Sequence, residues 1–340
     1  MNTTSQSMPS ITPERISRYF WAFAFPLIMK AATDNGIFDA LKDGPLTAEE
    51  ISIRTQTSPR GTSAIVEALT GMELLEKMDR RYRLANDAAA FLVSDRPGYL
   101  GGMLHHLTKQ ILPDWMQLSE ITKTGRPAVG VNQEDYGAAF FEKFVEALFH
   151  FNFGAACALG KALAPKYSGR PVRVLDIAAG SGVWGIGIAQ ALPQAQVTAL
   201  DFARVLETTK RCVERVHLTD QFTFVPGNAL EADPGSGFDI AVLGHILHSE
   251  GAERSRQLLK RVFDQLAPGA TVAIAEFLVN QERTGPVNSL IFNVNMLVHT
   301  DAGAAYSFED LKQWLEAAGF IHVRTLEAPA PSPLVLAEKQ

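Results

Sequence analysis

Residues 172–182 read VRVLDIAAGSG, an apolar β-branched run that passes without a break into a glycine-containing turn and then a helix. Small residues in such a turn let the backbone come close to a ligand, and the helix that follows offers unpaired N–H groups at its start. From here on, strands and helices alternate. Strands are predicted at 172–177, 196–201, 222–226, 238–243, 270–277, 320–326 and 333–338, with helices near 183–192, 204–216, 253–267 and 307–318. Alternation of this kind implies a mostly parallel sheet covered on both faces, an α/β fold whose ligands bind at the carboxyl ends of the strands.

The front half reads differently. Residues 11–42 look helical and apolar on most faces, which asks for burial on more than one side and points to a subunit interface. Thr47 followed by Glu50 is a capping box, Ser58-Pro59 opens a second helix, and Asp79-Arg80 turns between short strands at 75–78 and 81–84. Helix, turn, helix and hairpin make a winged helix. Further helices are predicted at 98–123 and 134–165, and Pro165–Pro171 is a plausible boundary. The expected organisation is a winged-helix domain over 1–110, a helical connector over 111–168 and a ligand-binding domain over 169–340.

At 340 residues the chain is comfortable for two domains, and a hydrophobic fraction of 46% allows a sizeable core. Winged helices often read DNA, but a net charge of −6 disfavours a nucleic-acid partner. Between residues 45 and 95 six Lys and Arg face eight Asp and Glu, a surface that would repel phosphate. The polar start lacks the pattern of a signal peptide. The apolar stretch 20–32 is too short for a bilayer and is interrupted by Pro26 and Lys30. Two well-separated cysteines, Cys157 and Cys212, form no CxxC pair. A cytoplasmic protein with no membrane partner is the expectation.

The second strand of the sheet ends at Asp201. An acid there hydrogen-bonds ribose hydroxyls in nucleotide-binding sheets, although a helix N-cap would also explain it. A nicotinamide dinucleotide is one ligand to weigh, but A-A-G-S-G-V-W-G is not a clean G-x-G-x-x-G. The form D-I-A-A-G-S-G resembles motif I of class I methyltransferases that use S-adenosylmethionine and release S-adenosylhomocysteine. That resemblance implies a Rossmann-like seven-stranded sheet. It also implies a cofactor site formed by Asp176, Ala178, Gly180, Gly182, Asp201, Phe202, Asn228, Ala229, Gly244 and His245, with the Asn228 side-chain oxygen available to an adenine amino group.

The later segment FDIAVLGHILHSEGAERSRQLLKRVFDQLAPGATVAIAEFL extends the likeness. It resembles the small-molecule O-methyltransferases related to caffeate, hydroxyindole and bacterial polyketide O-methyltransferases. Leu247-His248-Ser249 stands for their L-H-D, and Leu266–Ala270 for their L-x-P-G-G. The resemblance implies that His248 is the general base, that Glu276 orients it, and that the N-terminal domain forms a homodimer and covers the acceptor pocket. An imidazole titrating near neutrality suits removal of a hydroxyl proton, and a carboxylate beside it fixes its tautomer. As a residue on its own, Glu276 could equally be a strand-end carboxylate in solvent.

Three positions depart from the family pattern: Ser249 replaces an Asp, Ala305 falls where plant members carry a second Glu, and Ala178 and Ala179 replace glycines. His245 and His248 together could suggest a metal pair, but no further ligand is evident in the sequence, so no metal is expected. Asn293, Met296 and His299 fall at helical spacing where the family lines its acceptor pocket; a packed helix face reads the same. Phe141, Phe144, Phe149 and Phe153 could wall a pocket for a flat aromatic acceptor or could simply be core. Methylation of carbon, nitrogen or sulfur, and a non-methylating cofactor-binding role, are the alternatives.

Overall fold

The computed structural model describes residues 11–128 and 134–340; of the side chains between 134 and 147, only that of Val145 is described. The chain divides into two compact units, one running to Thr108 and the other from Lys109 to Gln340.

In the first unit, helices α1 (Glu14–Phe20), α2 (Ala24–Asp34) and α3 (Ile37–Ala40) precede a short strand, β1 (Leu46–Thr47). Helix α4 (Ala48–Thr55) starts at the predicted capping box, with Thr47 accepting from the Glu50 amide and Glu50 accepting from that of Thr47. Helix α5 (Pro59–Gly71) starts at the Ser58 cap. Strands β2 (Leu75–Met78) and β3 (Arg81–Leu84) form the predicted hairpin, with Asp79 at φ 55°. The short β1 joins β3 to complete a three-stranded wing; two residues of strand carry too little pattern to be foreseen. Helices α6 (Asn86–Phe91) and α7 (Gly101–His106) close the unit. Ile51, Val66, Leu69, Leu75 and Tyr82 belong to its core. Tyr19, Phe20, Trp21 and Phe23 on α1 and at the start of α2 stay more than half exposed.

The second unit begins with α8 (Leu112–Trp115), α9 (Leu118–Thr124) and the long α10 (Glu134–Tyr167). Helix α10 continues through Pro165, and its last residue, Tyr167, donates to the Asp239 carbonyl and pairs with the Thr271 hydroxyl, at 2.9 Å each. It packs along the sheet's own helices, so the helical stretch after residue 109 belongs to the same compact unit as the sheet.

The α/β layer follows as β4 (Val172–Ile177), α11 (Val183–Ala191), β5 (Ala195–Asp201), α12 (Ala203–Arg215), β6 (Phe222–Pro226), β7 (Phe238–Gly244), α13 (Leu247–Gln265) and β8 (Leu266–Ala275), then α14 (Val287–His299), α15 (Phe308–Ala318), β9 (Phe320–Leu326) and β10 (Leu334–Lys339). The strands form one seven-stranded sheet in the order β6-β5-β4-β7-β8-β10-β9. Its first five strands are parallel, and β10 runs antiparallel to both its neighbours. Alternation along β4 shows how both faces are covered: Val172 and Val174 join the core beneath α10 and α11, while Leu175 and Ile177 join the one beneath α13 and α15. Chain order reverses between β4 and β7, and a crevice opens there at the strands' carboxyl ends.

No helix among the described residues is long and apolar enough to cross a membrane.

Candidate active site

The crevice is a cavity of about 1050 Å³ including its mouth. Its floor is the turn after β4. Ala178, Gly180 and Gly182 all adopt positive φ, at 52°, 58° and 72°. A side chain on Gly182 would also meet Thr209 Cγ2 at 2.9 Å. Ala178 keeps a conformation that glycine adopts freely, so the turn tolerates the loss of a family glycine there.

Of the residues predicted to hold a cofactor, Ala178, Gly180, Asp201, Phe202, Asn228, Ala229, Gly244 and His245 line the cavity. Two do not. Gly182 starts α11 behind the turn. Asp176 is fully buried on the α11 side of β4, where its Oδ2 accepts from the Gly185 amide at 2.9 Å. Asp176 therefore ties helix to strand, because inward alternation along β4 aims it at α11 and away from the opening. Its Oδ1 has no hydrogen-bond partner among the described residues. Burial raises its pKa to about 7 against the pull of the Gly185 amide, with Asp201 adding a smaller push upward.

Asp201 Oδ2 accepts from the Gly180 amide at 2.8 Å, and Oδ1 from its neighbour Phe202 at 2.7 Å. The acid thus clamps the ligand turn to the end of β5 while lining the cavity, and burial raises its pKa to about 6. Asn228 Oδ1 accepts from the Leu230 amide at 2.9 Å, which fixes the amide plane and leaves the oxygen a second lone pair.

The opposite wall comes from β7. Gly244 is required by contact: a Cβ there would fall 2.1 Å from Trp184 Nε1. His245 holds φ 62°, in the left-handed region that few residues other than glycine occupy. Its Nε2 meets Asn152 Oδ1 of α10 at 3.2 Å, its buried Nδ1 has no partner among the described residues, and burial lowers its pKa to about 4.

His248 sits in the first turn of α13, just before the helix is broken at Gly251. Glu276, one residue past the end of β8, holds it twice: Oε1 accepts from the His248 amide at 3.1 Å and Oε2 from Nδ1 at 2.6 Å. Glu276 is only 4% exposed, so it is no strand-end carboxylate in solvent. Burial raises its pKa, but the facing His248 outweighs that and holds it below the usual range. With Nδ1 engaged, Nε2 is the nitrogen that His248 can offer to a ligand. Ser249 also lines the cavity, with its hydroxyl donating to the Ile246 carbonyl.

The expectation that His245 and His248 lack a third metal donor is corrected. Glu276 completes a cluster whose ligand atoms all lie within 4.8 Å of one another. Glu276 is expected beside His248 as its orienting carboxylate; what the structure adds is that His245 lies within reach of the same pair.

Asn293, Met296 and His299 do not line this cavity. Asn293 Oδ1 accepts from the Ala305 amide at 2.8 Å, Met296 is packed at 5% exposure, and His299 Nε2 meets Asp114 Oδ2 at 3.2 Å. These three share a helix face, but it is the face that anchors α14 to α8 and to the loop after it. The neighbouring Phe292 turns to His248 instead, edge-on to its ring at 4.8 Å between centres and stacked on Phe277 at 3.9 Å. Both rings escaped the sequence reading. Phe277 directly follows Glu276, and that adjacency was the available signal. Phe149 and Phe153 stack on each other in the core, and α10 gives the cavity Val145, Leu148 and Asn152 instead. The side chains of Phe141 and Phe144 lie outside those described.

A glycine turn at the head of a seven-stranded sheet, an acid at the end of the next strand and a carboxylate-held histidine define an S-adenosylmethionine-type methyltransferase site. Comparison makes the assignment specific. Residues 158–321 match the O-methyltransferase domain family and residues 17–94 the O-methyltransferase dimerisation domain. The chain is 31% identical, over 89% of its length and 88% of the relative's, to the 3-hydroxy-5-methyl-1-naphthoate 3-O-methyltransferase of Streptomyces sahachiroi. It is 27% identical to the tetracenomycin polyketide synthesis 8-O-methyl transferase of Streptomyces glaucescens, over 96% and 97% of the two chains. Human N-acetylserotonin methyltransferase, solved in complex with its cofactor, shares the fold with a TM-score of 0.82 at 22% identity, covering 98% of this chain and 99% of that one. The chain belongs to the family of S-adenosylmethionine-dependent O-methyltransferases, and it carries that family's dimerisation domain.

Proposed function

We propose that this enzyme methylates a hydroxyl of a small aromatic molecule, with His248 Nε2 as the general base. The observation that carries the reading is the 2.6 Å pairing of His248 Nδ1 with the buried Glu276 beside the stacked Phe277 and Phe292. An acceptor hydroxyl must shed its proton as its oxygen attacks. A base held by a carboxylate serves that need, and a half-buried aromatic slab next to the base suits a flat ring. Both named bacterial relatives are O-methyltransferases, one of a naphthoate and one of polyketide synthesis.

The cavity fits the cofactor on its own features. The Ala178–Gly180 turn offers backbone at close range, Asp201 presents a carboxylate to ribose hydroxyls, and Asn228 presents an amide oxygen to an adenine amino group. Phe202, Ala229, Gly244 and His245 complete the wall. Asp176 and Gly182 act beneath it by holding the turn. When bound, the cofactor supplies the electrophilic methyl group. The chain's own residues then do the rest. Phe292 and Phe277 seat the acceptor ring, His248 Nε2 takes the hydroxyl proton, and Glu276 stabilises the imidazolium through Nδ1–H. Ser249 acts through its hydroxyl where the family carries a carboxylate, so Glu276 bears the orienting role alone among the described residues.

The exposed aromatic surface of α1 and α2 supports a homodimer formed through residues 1–110, with 111–168 contributing to the acceptor side and 169–340 binding the cofactor. The acidic balance of the chain supports a small-molecule role without nucleic acid, and the scarcity of cysteine a cytoplasmic setting. The reading is tested by measuring S-adenosylhomocysteine release with a panel of naphthols, phenols and non-aromatic alcohols. Turnover confined to phenolic acceptors is expected, and turnover only with amines or thiols would overturn it.

A further inference from the structure

We propose that His245, His248 and Glu276 form an inhibitory site for a transition-metal dication, with Zn²⁺ as its natural fit.

The donors come from three rigid places: the end of β7, the first turn of α13 and the residue after β8. Their ligand atoms lie within 4.8 Å of one another. His245 Nε2 faces Asn152 Oδ1, which assigns the ring proton to this nitrogen and the lone pair to the buried Nδ1, an atom with no hydrogen-bond partner among the described residues. A ligating histidine is commonly oriented in this way, with its other N–H given to an oxygen of the protein. His248 Nδ1 and Glu276 Oε2 now share a hydrogen bond at 2.6 Å, and an ion would replace the proton between them. Tetrahedral zinc, with bonds of about 2 Å to nitrogen and oxygen, sets neighbouring ligand atoms about 3.3 Å apart, so the pair must open by roughly 0.7 Å to take it. Two imidazoles and one carboxylate leave a fourth position for water, and nitrogen donors select zinc over magnesium or calcium.

Inhibition follows from the ring's proton balance. Without metal, the single proton of neutral His248 sits on Nδ1, facing Glu276, and Nε2 holds the lone pair. Metal ligation takes the Nδ1 lone pair, so the proton moves to Nε2 and no charge is lost from the ring. Nε2 then cannot accept the proton of the acceptor hydroxyl. This consequence rests on His248 being the base; the binding itself does not.

Untagged enzyme is titrated with Co²⁺ followed by visible absorption, then with Zn²⁺ in competition with a chromophoric chelator. Methyl transfer is measured in parallel, with a chelator to reverse the effect. One ion per chain is expected, with a nitrogen–oxygen spectrum lacking the thiolate charge-transfer band that Cys157 or Cys212 would give. Zn²⁺ should inhibit reversibly, and Mg²⁺ in large excess should do nothing. His245→Asn, chosen because Asn tolerates positive φ, should weaken Zn²⁺ binding and raise the inhibitory concentration by at least about tenfold, each read against that variant's own metal-free rate. Glu276→Gln should weaken Zn²⁺ binding as well. Absence of stoichiometric binding, a thiolate spectrum, unchanged affinity in both variants, or activation by Zn²⁺ would each overturn the site. Stoichiometric binding without inhibition, together with full metal-free turnover in His248→Ala, would overturn the base assignment and leave the site standing.

Discussion

Glu276 grips His248 by both backbone and ring, accepting from the amide at 3.1 Å and from Nδ1 at 2.6 Å. One carboxylate thus fixes the turn that carries the histidine and the direction of its Nε2. Removing the ring should therefore differ from removing the charge. His248→Ala is expected to lower kcat by about 10²–10⁴ with cofactor affinity unchanged. Glu276→Gln keeps an acceptor for the amide but loses the counter-charge, so its kcat should fall by roughly 10- to 1000-fold, again without a change in cofactor affinity. Single-turnover kinetics with calorimetry of S-adenosylhomocysteine binding separates the two quantities. A Glu276→Gln enzyme with weakened cofactor binding and normal kcat would place this carboxylate in binding.

Asp201 predicts a pH dependence of binding. Burial raises its pKa to about 6 in the free protein. In the proposed role ribose hydroxyls donate to the ionised carboxylate, so as pH falls through 6 the acid would take up a proton that the cofactor must displace. Affinity for S-adenosylhomocysteine should therefore weaken between pH 7.5 and pH 5. Asp201→Asn should bind more weakly at pH 7.5 and show a flatter profile. Equal affinity of wild type and Asp201→Asn at pH 7.5 by calorimetry would leave the residue only its backbone contacts to Gly180 and Phe202.

What could be read in the sequence, and what could not, follows from the range of the forces involved. Strand β4, the Asp79-Arg80 hairpin and the Thr47 cap depend on neighbours within a few residues, and their limits were legible. The face of α14 was not. Helical spacing places Asn293, Met296 and His299 on one side, but what that side meets is decided by Asp114, 185 positions away from His299. Phe292 lies one step further round the helix and reaches His248. Asp176 was misplaced for a related reason. Motif position said that it serves the ligand turn, while only the alternation of β4 against α11 shows that it does so from behind.

That hidden position of Asp176 makes it a stability switch. Its pKa is raised from 3.8 to about 7 by burial. An acid with a raised folded-state pKa binds more protons folded than unfolded, so stability is greatest at low pH and falls as pH rises between the two values, then levels off. Asp176→Asn can still accept from the Gly185 amide and carries no buried charge. Its stability relative to wild type should increase by a few kcal/mol from pH 5 to pH 8, a slope set by the shift in pKa. Urea unfolding across that range measures it. Parallel stability curves for the two proteins would mean that Asp176 titrates as an ordinary carboxyl.

The pair Phe277–Phe292 supplies the sharpest test of acceptor class. Its rings stack at 3.9 Å with the planes 20° apart, and Phe292 stands edge-on to His248. An aromatic acceptor placed against this slab gains on the order of 0.5–1.5 kcal/mol beyond plain burial, which corresponds to about a two- to twelvefold change in affinity. Phe292→Leu retains most of the apolar volume and removes the ring. KM for a phenolic acceptor should then rise by several fold while S-adenosylhomocysteine affinity holds. kcat should fall less than in Glu276→Gln, because the base keeps its carboxylate. Phe292→Ala would lose packing against His248 as well and should lower kcat too. If Phe292→Leu turned over a phenol with unchanged KM while losing cofactor affinity, the slab would belong to the cofactor and the acceptor would have to approach His248 from the side of Leu148 and Asn152.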